Sequence, residues 1–259
     1  MIKKLKSITL STALGLFAFA APMGVYAEDA ITDNDNEINE VIKEIEDKFN
    51  YKGIVSYITE SDNKGSYFVV LSDGSNTYYT KGSDNMVVGD IFNIKTKKNV
   101  SESLKGGYNL KVLEAFEDSE KIFYLSDKEN ADMVTIYTDP TCGFCRKIHE
   151  NIEKYNELGI SIAYIPFPRG HEGTRPYEEL KQVWCSNDRK ESLNLAKHDK
   201  ANQIKSNIQN DCVATVRKGV ETGHKLQVRG TPSIYTENGY NIPGFVEPEK
   251  LREVIDQTK

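Results

Sequence analysis

The sequence predicts a small N-terminal α+β domain followed by a larger α/β domain. The first observation behind this prediction is a helix-like segment and four strand-like segments between residues 28 and 98. The second is a strand–helix–strand succession between residues 133 and 167, which implies a parallel strand pair with a crossover helix. The third is length, because the chain has 259 residues and a single domain most often has roughly 100–150.

Residues 1–27 have the pattern of a cleaved secretory signal. Three lysines precede an apolar run at 8–21, and Val25 and Ala27 are the small residues at the −3 and −1 positions of the predicted cleavage site. An uncleaved membrane anchor is the alternative, but it needs about 20 apolar residues, and Pro22 disfavours it. We therefore expect the mature chain to be exported and soluble.

The charge balance argues against a general nucleic-acid binder. The chain has 33 Lys and Arg against 39 Asp and Glu, a net charge of −6, and the loss of the three lysines of the signal would make it −9. Binding to nucleic acid depends on basic side chains that neutralise phosphates. No nucleic-acid partner is expected.

The N-terminal unit is predicted to be a helix packed on a sheet. Apolar residues recur at helical spacing near residues 38–49, and Asp73-Gly74 between two β-rich runs predicts a hairpin. The unit has no cysteine or histidine, and about 70 residues give a limited core, so a second copy could cover its sheet. The predicted strands are 53–59, 66–71, 76–80 and 86–94.

Residues 99–119 are predicted to form a connecting helix. Gly106-Gly107 lies inside it and lowers its helix propensity by roughly 2 kcal/mol relative to alanine. Two interpretations stay open from the sequence: the glycines are simply tolerated, or they form a bend between the two domains.

The C-terminal domain contains the four cysteines of the chain and a regular succession of elements. A hairpin signal at 237–239 separates its last two strands. The predicted order is strand 133–138, a helix to 156, strand 160–167, a mostly helical segment 176–222, strands 233–236 and 240–245, and a helix 248–257.

The stretch DPTCGFCRK, residues 139–147, contains Cys142 and Cys145 with two residues between them. Cys142 follows a predicted strand and lies where the next helix begins, and the free N–H groups and dipole of a helix start stabilise a thiolate. Thiols at such sites drop in pKa from about 8.5 to between about 3.5 and 7.5. We therefore predict that Cys142 attacks and that Cys145, one helical turn later, resolves the resulting mixed disulfide.

A zinc site is the weaker alternative for this motif. Cys142, Cys145 and His149 have finger-like spacing, but Cys185 and Cys212 lie 27 positions apart and supply no second ligand pair. A static structural loop conflicts with the strand-to-helix context. We expect no metal and no cofactor.

Cys185 and Cys212 are predicted to form a structural disulfide between two helical segments. Closing the 28-residue loop would stabilise the fold by about 3.6 kcal/mol in the chain-entropy model. The alternative, a second redox couple, lacks an activating helix start.

Several segments resemble the DsbC family of periplasmic protein-disulfide isomerases. The resemblance covers essentially the whole mature chain, more strongly from residue 135 to 245 than before residue 100. The N-terminal stretch GSYFVVLSDGSNTYYTKG is similar to the dimerisation domain of that family. The other matching stretches are YTDPTCGFCRKIHENIEKYNELGISIAYIPFPR, VWC at 183–185, the distant Cys212, RGTPSIYTENG and IPGFVEP.

The resemblance implies a thioredoxin-like catalytic domain with a helical insertion at 120–259. A linker helix at 99–119 would join it to a small α+β (cystatin-like) dimerisation domain at 28–98. In this family scheme Cys142 is the nucleophile and Cys145 its redox partner. Thr231-Pro232 would be a cis-proline loop that faces the two cysteines and aligns the substrate backbone, and Cys185 with Cys212 would be the structural disulfide.

The resemblance also implies partners and a location. A V-shaped homodimer in the periplasm would hold misfolded or wrongly disulfide-bonded exported proteins, and a DsbD-type membrane reductase would keep the active cysteines reduced. The chain departs from the family at Phe144, where a tyrosine is familiar, and at Gly106-Gly107. The first departure bears on the redox potential, and the second on the rigidity of the linker.

The predicted function is that of a disulfide isomerase and reductase with a Cys-Gly-Phe-Cys redox centre. A monomeric thiol oxidase on the same fold is one alternative. A substrate-holding chaperone with an incidental redox centre is the other.

Overall fold

A computed structural model of the chain describes residues 33–63 and 65–259. The predicted signal at 1–27 lies outside the described residues. Within the described part, none of the helices combines the length and the apolar character that a bilayer crossing requires.

The N-terminal unit is one helix on a four-stranded antiparallel sheet. Helix α1, Asp33–Phe49, places Val41 and Ile45 in a buried cluster against the sheet, one helical turn apart. The strands follow the order β1-β2-β3-β4, so β1 and β4 are the edges. They are β1 Val55–Glu60, β2 Ser66–Leu71, β3 Asn76–Thr80 and β4 Met86–Val88.

Helix α2, Val100–Leu113, runs without interruption through both glycines. The side chain of Asn99 caps it by accepting a hydrogen bond from the N–H of Glu102 at 3.2 Å. A Cβ on Gly106 would lie 2.5 Å from the carbonyl oxygen of Asn238, and one on Gly107 would overlap the hydroxyl of Tyr57. Both glycines therefore allow close approach of neighbouring segments.

The C-terminal unit is built on a mixed five-stranded sheet with the order β5-β7-β6-β8-β9. Only β6 and β7 run parallel, and the other neighbours are antiparallel. The parallel pair is connected through helices α3, Gly143–Glu150, and α4, Ile152–Glu157. The strands are β5 Ile122–Tyr124, β6 Asp132–Thr138, β7 Ile160–Pro166, β8 Ser233–Tyr235 and β9 Asn241–Pro243.

Three helices lie between β7 and β8, and a fourth follows β9. The structure joins Cys185, at the end of α5, to Cys212, in the first turn of α7, by a disulfide with a Cα–Cα distance of 5.1 Å. The helices are α5 Arg175–Trp184, α6 Arg189–Lys197, α7 Asn210–Lys225 and α8 Pro248–Thr258.

The two sheets share a hydrophobic core with α2 between them. The Tyr108 hydroxyl donates to the carbonyl of Lys225 at 3.2 Å, and the Asn109 amide donates to the carbonyl of Gly239 at 2.8 Å. Aromatic side chains from both sheets meet in this core. Its buried members include Phe68, Val70, Tyr78, Tyr108, Leu113, Phe116, Tyr137, Ile165, Phe167, Leu226 and Tyr235.

Four elements differ clearly from the sequence prediction. Helix α2 ends at Leu113 instead of residue 119, because the backbone becomes extended at Glu117 and a separate 3-10 turn follows at Asp118–Glu120. Strand β5 was not expected, because three residues carry no detectable alternation. The helix after Cys142 is divided at Asn151, whose side chain donates to the carbonyl of Lys147 at 2.8 Å and whose backbone leaves the helical region. Strand β4 ends at Val88 instead of residue 94, because Gly89 has a φ of 139° that ends extended pairing.

Candidate active site

Cys142 and Cys145 lie where β6 turns into α3. Cys142 is the N-cap residue of α3, and its N–H donates to the carbonyl of Asp139 at 3.2 Å. The Asp139 carboxylate shapes this turn by accepting hydrogen bonds from the N–H and the hydroxyl of Thr141, both at 2.7 Å. Both cysteines are free thiols, and their side chains are 2% and 1% exposed.

The structure places Thr231-Pro232 against Cys142. The Thr231–Pro232 peptide bond is cis, and the Cys142 Sγ lies 3.1 Å from the carbonyl oxygen of Thr231. The carbonyl of Pro232 accepts a hydrogen bond from the N–H of Gly244 at 2.9 Å, which fastens the loop to the end of β9. Segments nearly ninety residues apart in the chain therefore form one site.

The Cys142 thiol is strongly acidified. Its pKa is lowered to about 5, chiefly because the Cys145 thiol hydrogen-bonds to the Cys142 thiolate. Burial acts in the opposite direction, whereas the N–H of Cys145 and the guanidinium of Arg169 favour the thiolate. At pH 7 Cys142 is thus in the form that attacks disulfides.

The Cys145 thiol has the opposite shift. Its pKa is raised because burial disfavours its thiolate and because it hydrogen-bonds to Cys142, while Lys197 lowers it. The result is one ionised and one protonated sulfur, separated by one helical turn. Such a pair can attack a disulfide with the first sulfur and resolve the mixed disulfide with the second.

An ion pair behind the loop was not found by sequence reasoning. The Arg169 Nε lies 3.0 Å from the fully buried carboxylate of Asp139, and the Arg169 N–H also donates to it at 2.9 Å. One feature of the sequence could have indicated this pair. Asp139 follows β6 and Arg169 follows the neighbouring parallel strand β7, so both residues lie at the same edge of the sheet. This pair brings a cation close to the Cys142 thiolate.

His149 lies in the interior. Its Nε2 is 2.8 Å from the Oδ1 of Asn194, and burial lowers its pKa to about 4, so the ring is neutral at pH 7. Arg146, next to Cys145, forms a bidentate ion pair with Asp199 at 2.5 and 2.7 Å. Neither residue touches the Cys142 sulfur.

An exposed aromatic pair lies near the active-site turn, and a groove next to the cis-proline loop combines apolar side chains with three arginines and two glutamates, Glu172 and Glu221. Phe144 is exposed and stacks on Phe245 with a centroid distance of 6.2 Å. A groove of about 760 Å³ extends up to Gly230, the residue before the cis-proline loop. Its lining includes Phe167, Tyr177 and Val228 together with Arg169, Arg217 and Arg229.

Known proteins with similar sequences carry the same type of domain. A family described as a thioredoxin-like domain matches residues 120–259. The thiol:disulfide interchange protein DsbC of Escherichia coli (strain K12) is 30% identical over 188 residues, which cover 73% of this chain and 76% of that protein. The protein of the same name from Haemophilus influenzae is 29% identical over 93% of this chain and 97% of its own length.

Among solved structures, a disulfide interchange protein from Neisseria gonorrhoeae is 19% identical, with a TM-score of 0.47 over 55% of this chain and 98% of that chain. The family match and the relatives confirm the thioredoxin-like domain and the resemblance seen in the sequence. The chain therefore belongs to the DsbC family of thiol:disulfide interchange proteins and is an enzyme of thiol–disulfide exchange.

Proposed function

We propose that this protein is a disulfide isomerase and reductase that acts on wrongly paired disulfides of exported proteins through the Cys142–Cys145 centre. The observation that carries the proposal is the contrast between the two sulfurs. The Cys142 thiolate is favoured at neutral pH and lies against the Thr231-Pro232 loop, while Cys145 remains a thiol.

The reaction begins when the Cys142 thiolate attacks a substrate disulfide. A bond forms between Cys142 and one substrate sulfur, and the other substrate sulfur leaves as a thiolate. In isomerisation, another substrate thiolate attacks the mixed disulfide, forms a new substrate disulfide and releases Cys142 as a thiolate. No net electrons are transferred on this route.

Reduction follows when Cys145 acts instead. Cys145 loses its proton, attacks the Cys142 sulfur and displaces the substrate thiolate, which leaves a Cys142–Cys145 disulfide. The substrate has gained two electrons, so the enzyme needs a dithiol reductant before the next cycle. We propose a DsbD-type membrane reductase for this task, on the basis of the resemblance to the family.

Thr231-Pro232 is proposed to align the substrate backbone. The proximity of this loop to the Cys142 sulfur supports the role, as does the adjacent groove, which offers apolar surface to a flanking segment of the substrate. The exposed ring of Phe144 gives a further apolar contact beside the attacking sulfur.

A homodimer is proposed for the active form, with residues 28–98 as the dimerisation domain and 99–119 as the linker to the catalytic domain at 120–259. The edge strand β4 and the loop after it expose apolar side chains, among them Val88 at 81% and Ile94 at 84%. An exposed apolar edge strand is a ready surface for pairing with a second sheet. We place the dimer in the periplasm, after cleavage of residues 1–27.

Refolding of a scrambled multi-disulfide protein tests this function. Wild-type protein should restore the substrate, whereas Cys142→Ala should abolish the activity. Cys145→Ala is the matched control and should keep a part of it, because substrate thiols can still resolve the mixed disulfide. Full activity of Cys142→Ala would refute the proposal, and oxidation of a reduced substrate in preference to reshuffling would favour a thiol oxidase.

A further inference from the structure

Lys197 is a buried lysine that the reaction above does not use. It lies at the end of α6 with only 3% of its surface exposed. Its Nζ donates to the hydroxyl of Thr138 at 2.6 Å and to the carbonyl of Asp139 at 3.2 Å. Both acceptors belong to the segment that connects β6 to Cys142, so the amine lies directly behind the active-site turn.

The environment of Lys197 is unusual for an ammonium group. Within residues 33–63 and 65–259, no carboxylate comes within ion-pair distance of its Nζ, because the nearby Asp139 is engaged by Arg169. Burial lowers the pKa of Lys197. Burying a cation without such a partner is unfavourable, so the ammonium form of Lys197 is held at a cost that a thiolate at Cys145 offsets. Contacts to a hydroxyl and one carbonyl do not by themselves require a lysine.

The strongest attraction on Lys197 comes from the sulfur of Cys145. Conversely, Lys197 is the main group that favours the Cys145 thiolate against burial. The N–H of Asp139 also hydrogen-bonds to the Cys145 sulfur, so the sulfur and the amine contact the same backbone unit from two sides.

Several other groups face Lys197 from the elements packed around it. From α3 these are Cys142, Arg146 and the neutral ring of His149, and from β7 the ring of Tyr164 lies 5.5 Å from Nζ. Asp139 and Cys142 attract the ammonium more weakly than Cys145 does, and Arg146 repels it. The balance of these charges leaves Cys145 as the principal partner of Lys197.

We propose that Lys197 is a positioning residue for the second half of the reaction. Its buried positive charge lies behind Cys145 and so sets how fast Cys145 resolves the mixed disulfide. This inference rests on the proposed function. Before it attacks, the Cys145 thiol gives up its proton, which finally reaches the departing substrate thiolate or solvent. The new bond joins Cys145 to Cys142, and the bond between Cys142 and the substrate sulfur breaks.

The role of Lys197 affects the choice between the two routes. A cation beside Cys145 stabilises its thiolate, so reduction competes with attack by a substrate thiol. Without the cation, the mixed disulfide should live longer and isomerisation should gain at the expense of reduction. The first attack by Cys142 should change less, because Cys142 is acidified mainly by Cys145 and not by Lys197.

The test is the rate at which a preformed mixed disulfide between Cys142 and a cysteine peptide is resolved by Cys145, measured by rapid quench against pH. Removing a nearby opposite charge raises a pKa by about one to three, and a more basic thiolate is a better nucleophile with a Brønsted slope of about 0.4–0.5. Lys197→Met should therefore slow resolution about 3- to 60-fold at pH 7 and move its pH profile to higher pH.

Two controls separate charge from structure. Lys200→Met removes an exposed lysine three residues later and should leave resolution unchanged. Lys197→Gln keeps a hydrogen-bond donor for Thr138 but removes the charge, so it should slow resolution as Lys197→Met does. It replaces Lys197→Met if the methionine variant does not fold. The rate of the first attack on a peptide disulfide is measured in parallel for each variant.

The outcomes are distinct. Resolution at the wild-type rate in Lys197→Gln, or an equal loss in the first attack and in resolution, would overturn the role of Lys197 while the proposed function stands. If wild-type protein formed no mixed disulfide at Cys142, both the proposed function and this inference would fall.

Discussion

Cys142 and Cys145 are identical side chains three residues apart, and the fold gives their thiols opposite pKa shifts. Cys142 is the N-cap of α3 and receives hydrogen bonds from Cys145, whereas Cys145 is enclosed inside the domain. The hydrogen bonds at the helix start and the burial of Cys145 therefore give the two thiols their opposite pKa shifts, on which the proposed division of roles rests.

The first prediction concerns the pH dependence of Cys142. Alkylation of the reduced protein by iodoacetamide should follow a midpoint near pH 5, because the pKa of Cys142 is lowered to about 5 and only the thiolate reacts. The rate should be constant above about pH 6 and fall below the midpoint. Mass spectrometry of the modified peptide checks the site, and Cys142→Ala should lose the fast phase. A rate that still rises between pH 7 and 9 would contradict the acidified thiol.

The sequence was sufficient to propose Cys142 and Cys145 from the local Cys-x-x-Cys pattern, whereas Thr231-Pro232 was proposed only through the resemblance to the DsbC family. It did not reveal Arg169 or Lys197, because their partners near Cys142 are distant in the chain. Lys197 had one usable signal: it continues the buried face of α6 that includes Leu193 and Ala196. A charged residue at such a position is a reason to look for a buried partner.

At the scale of elements, α2 shows why two glycines occur inside a helix. Gly106 lies against the backbone of the Asn238-Gly239 turn, where no side chain can move aside, whereas Gly107 faces the flexible hydroxyl end of Tyr57. The sequence left open whether the pair is tolerated or forms a bend. The structure identifies close packing as the physical requirement.

The second prediction compares Gly106→Ala with Gly107→Ala. The Gly106 change should lower the free energy of unfolding by about 1–3 kcal/mol through overpacking, despite the better helix propensity of alanine. The Gly107 change should cost less than the Gly106 change, because the Tyr57 side chain can shift where the Asn238 backbone cannot, and the helix propensity of alanine offsets part of the clash. Urea denaturation measures both, and equal effects would show that the Asn238 contact is unimportant.

The third prediction concerns the disulfide between α5 and α7. Replacing Cys185 and Cys212 together by serine should lower the free energy of unfolding by about 3.6 kcal/mol, because the 28-residue loop is no longer closed in the unfolded chain. The pH profile of Cys142 alkylation should be unchanged, which separates this bridge from the redox centre. A loss below about 1 kcal/mol in the absence of reductant would argue against a structural role.

Strands of five to seven residues could be predicted from the sequence, whereas the three-residue strand β5 could not. Strands β2 and β3 match the predicted bounds, and β6 and β7 differ from theirs by one residue, because their sequences alternate or are continuously apolar. Strand β5 has three residues and pairs with β7, so its identity as a strand depends on a neighbour that lies some forty residues later. Pairing with β7 makes this segment a strand, and its own sequence pattern does not.

At the scale of the whole molecule, the two sheets have different surroundings. One face of the N-terminal sheet is covered by α2 and the shared core, and α1 packs against it in a separate cluster. The outer edge at β4 remains apolar and exposed. A second copy is the occupant that the proposed function requires there.

The fourth prediction tests this edge. Val88→Lys should reduce or abolish dimer formation in light scattering, because a charge on an edge strand opposes strand pairing. Leu125→Lys changes another exposed apolar residue, in the C-terminal unit, and should leave the oligomeric mass unchanged. A monomeric wild-type protein, or a Val88→Lys dimer of undiminished stability, would refute the proposed interface.

The central claim is that the Cys142 thiolate makes the covalent bond to substrate. The fifth prediction, which tests it most directly, uses Cys145→Ala protein mixed with a scrambled disulfide substrate, followed by acid quench and peptide mapping of the trapped complex. A mixed disulfide at Cys142 is the predicted result, and Cys142→Ala should trap none. A complex that forms through Cys145 in the Cys142→Ala protein, or the absence of any complex in Cys145→Ala, would contradict the account.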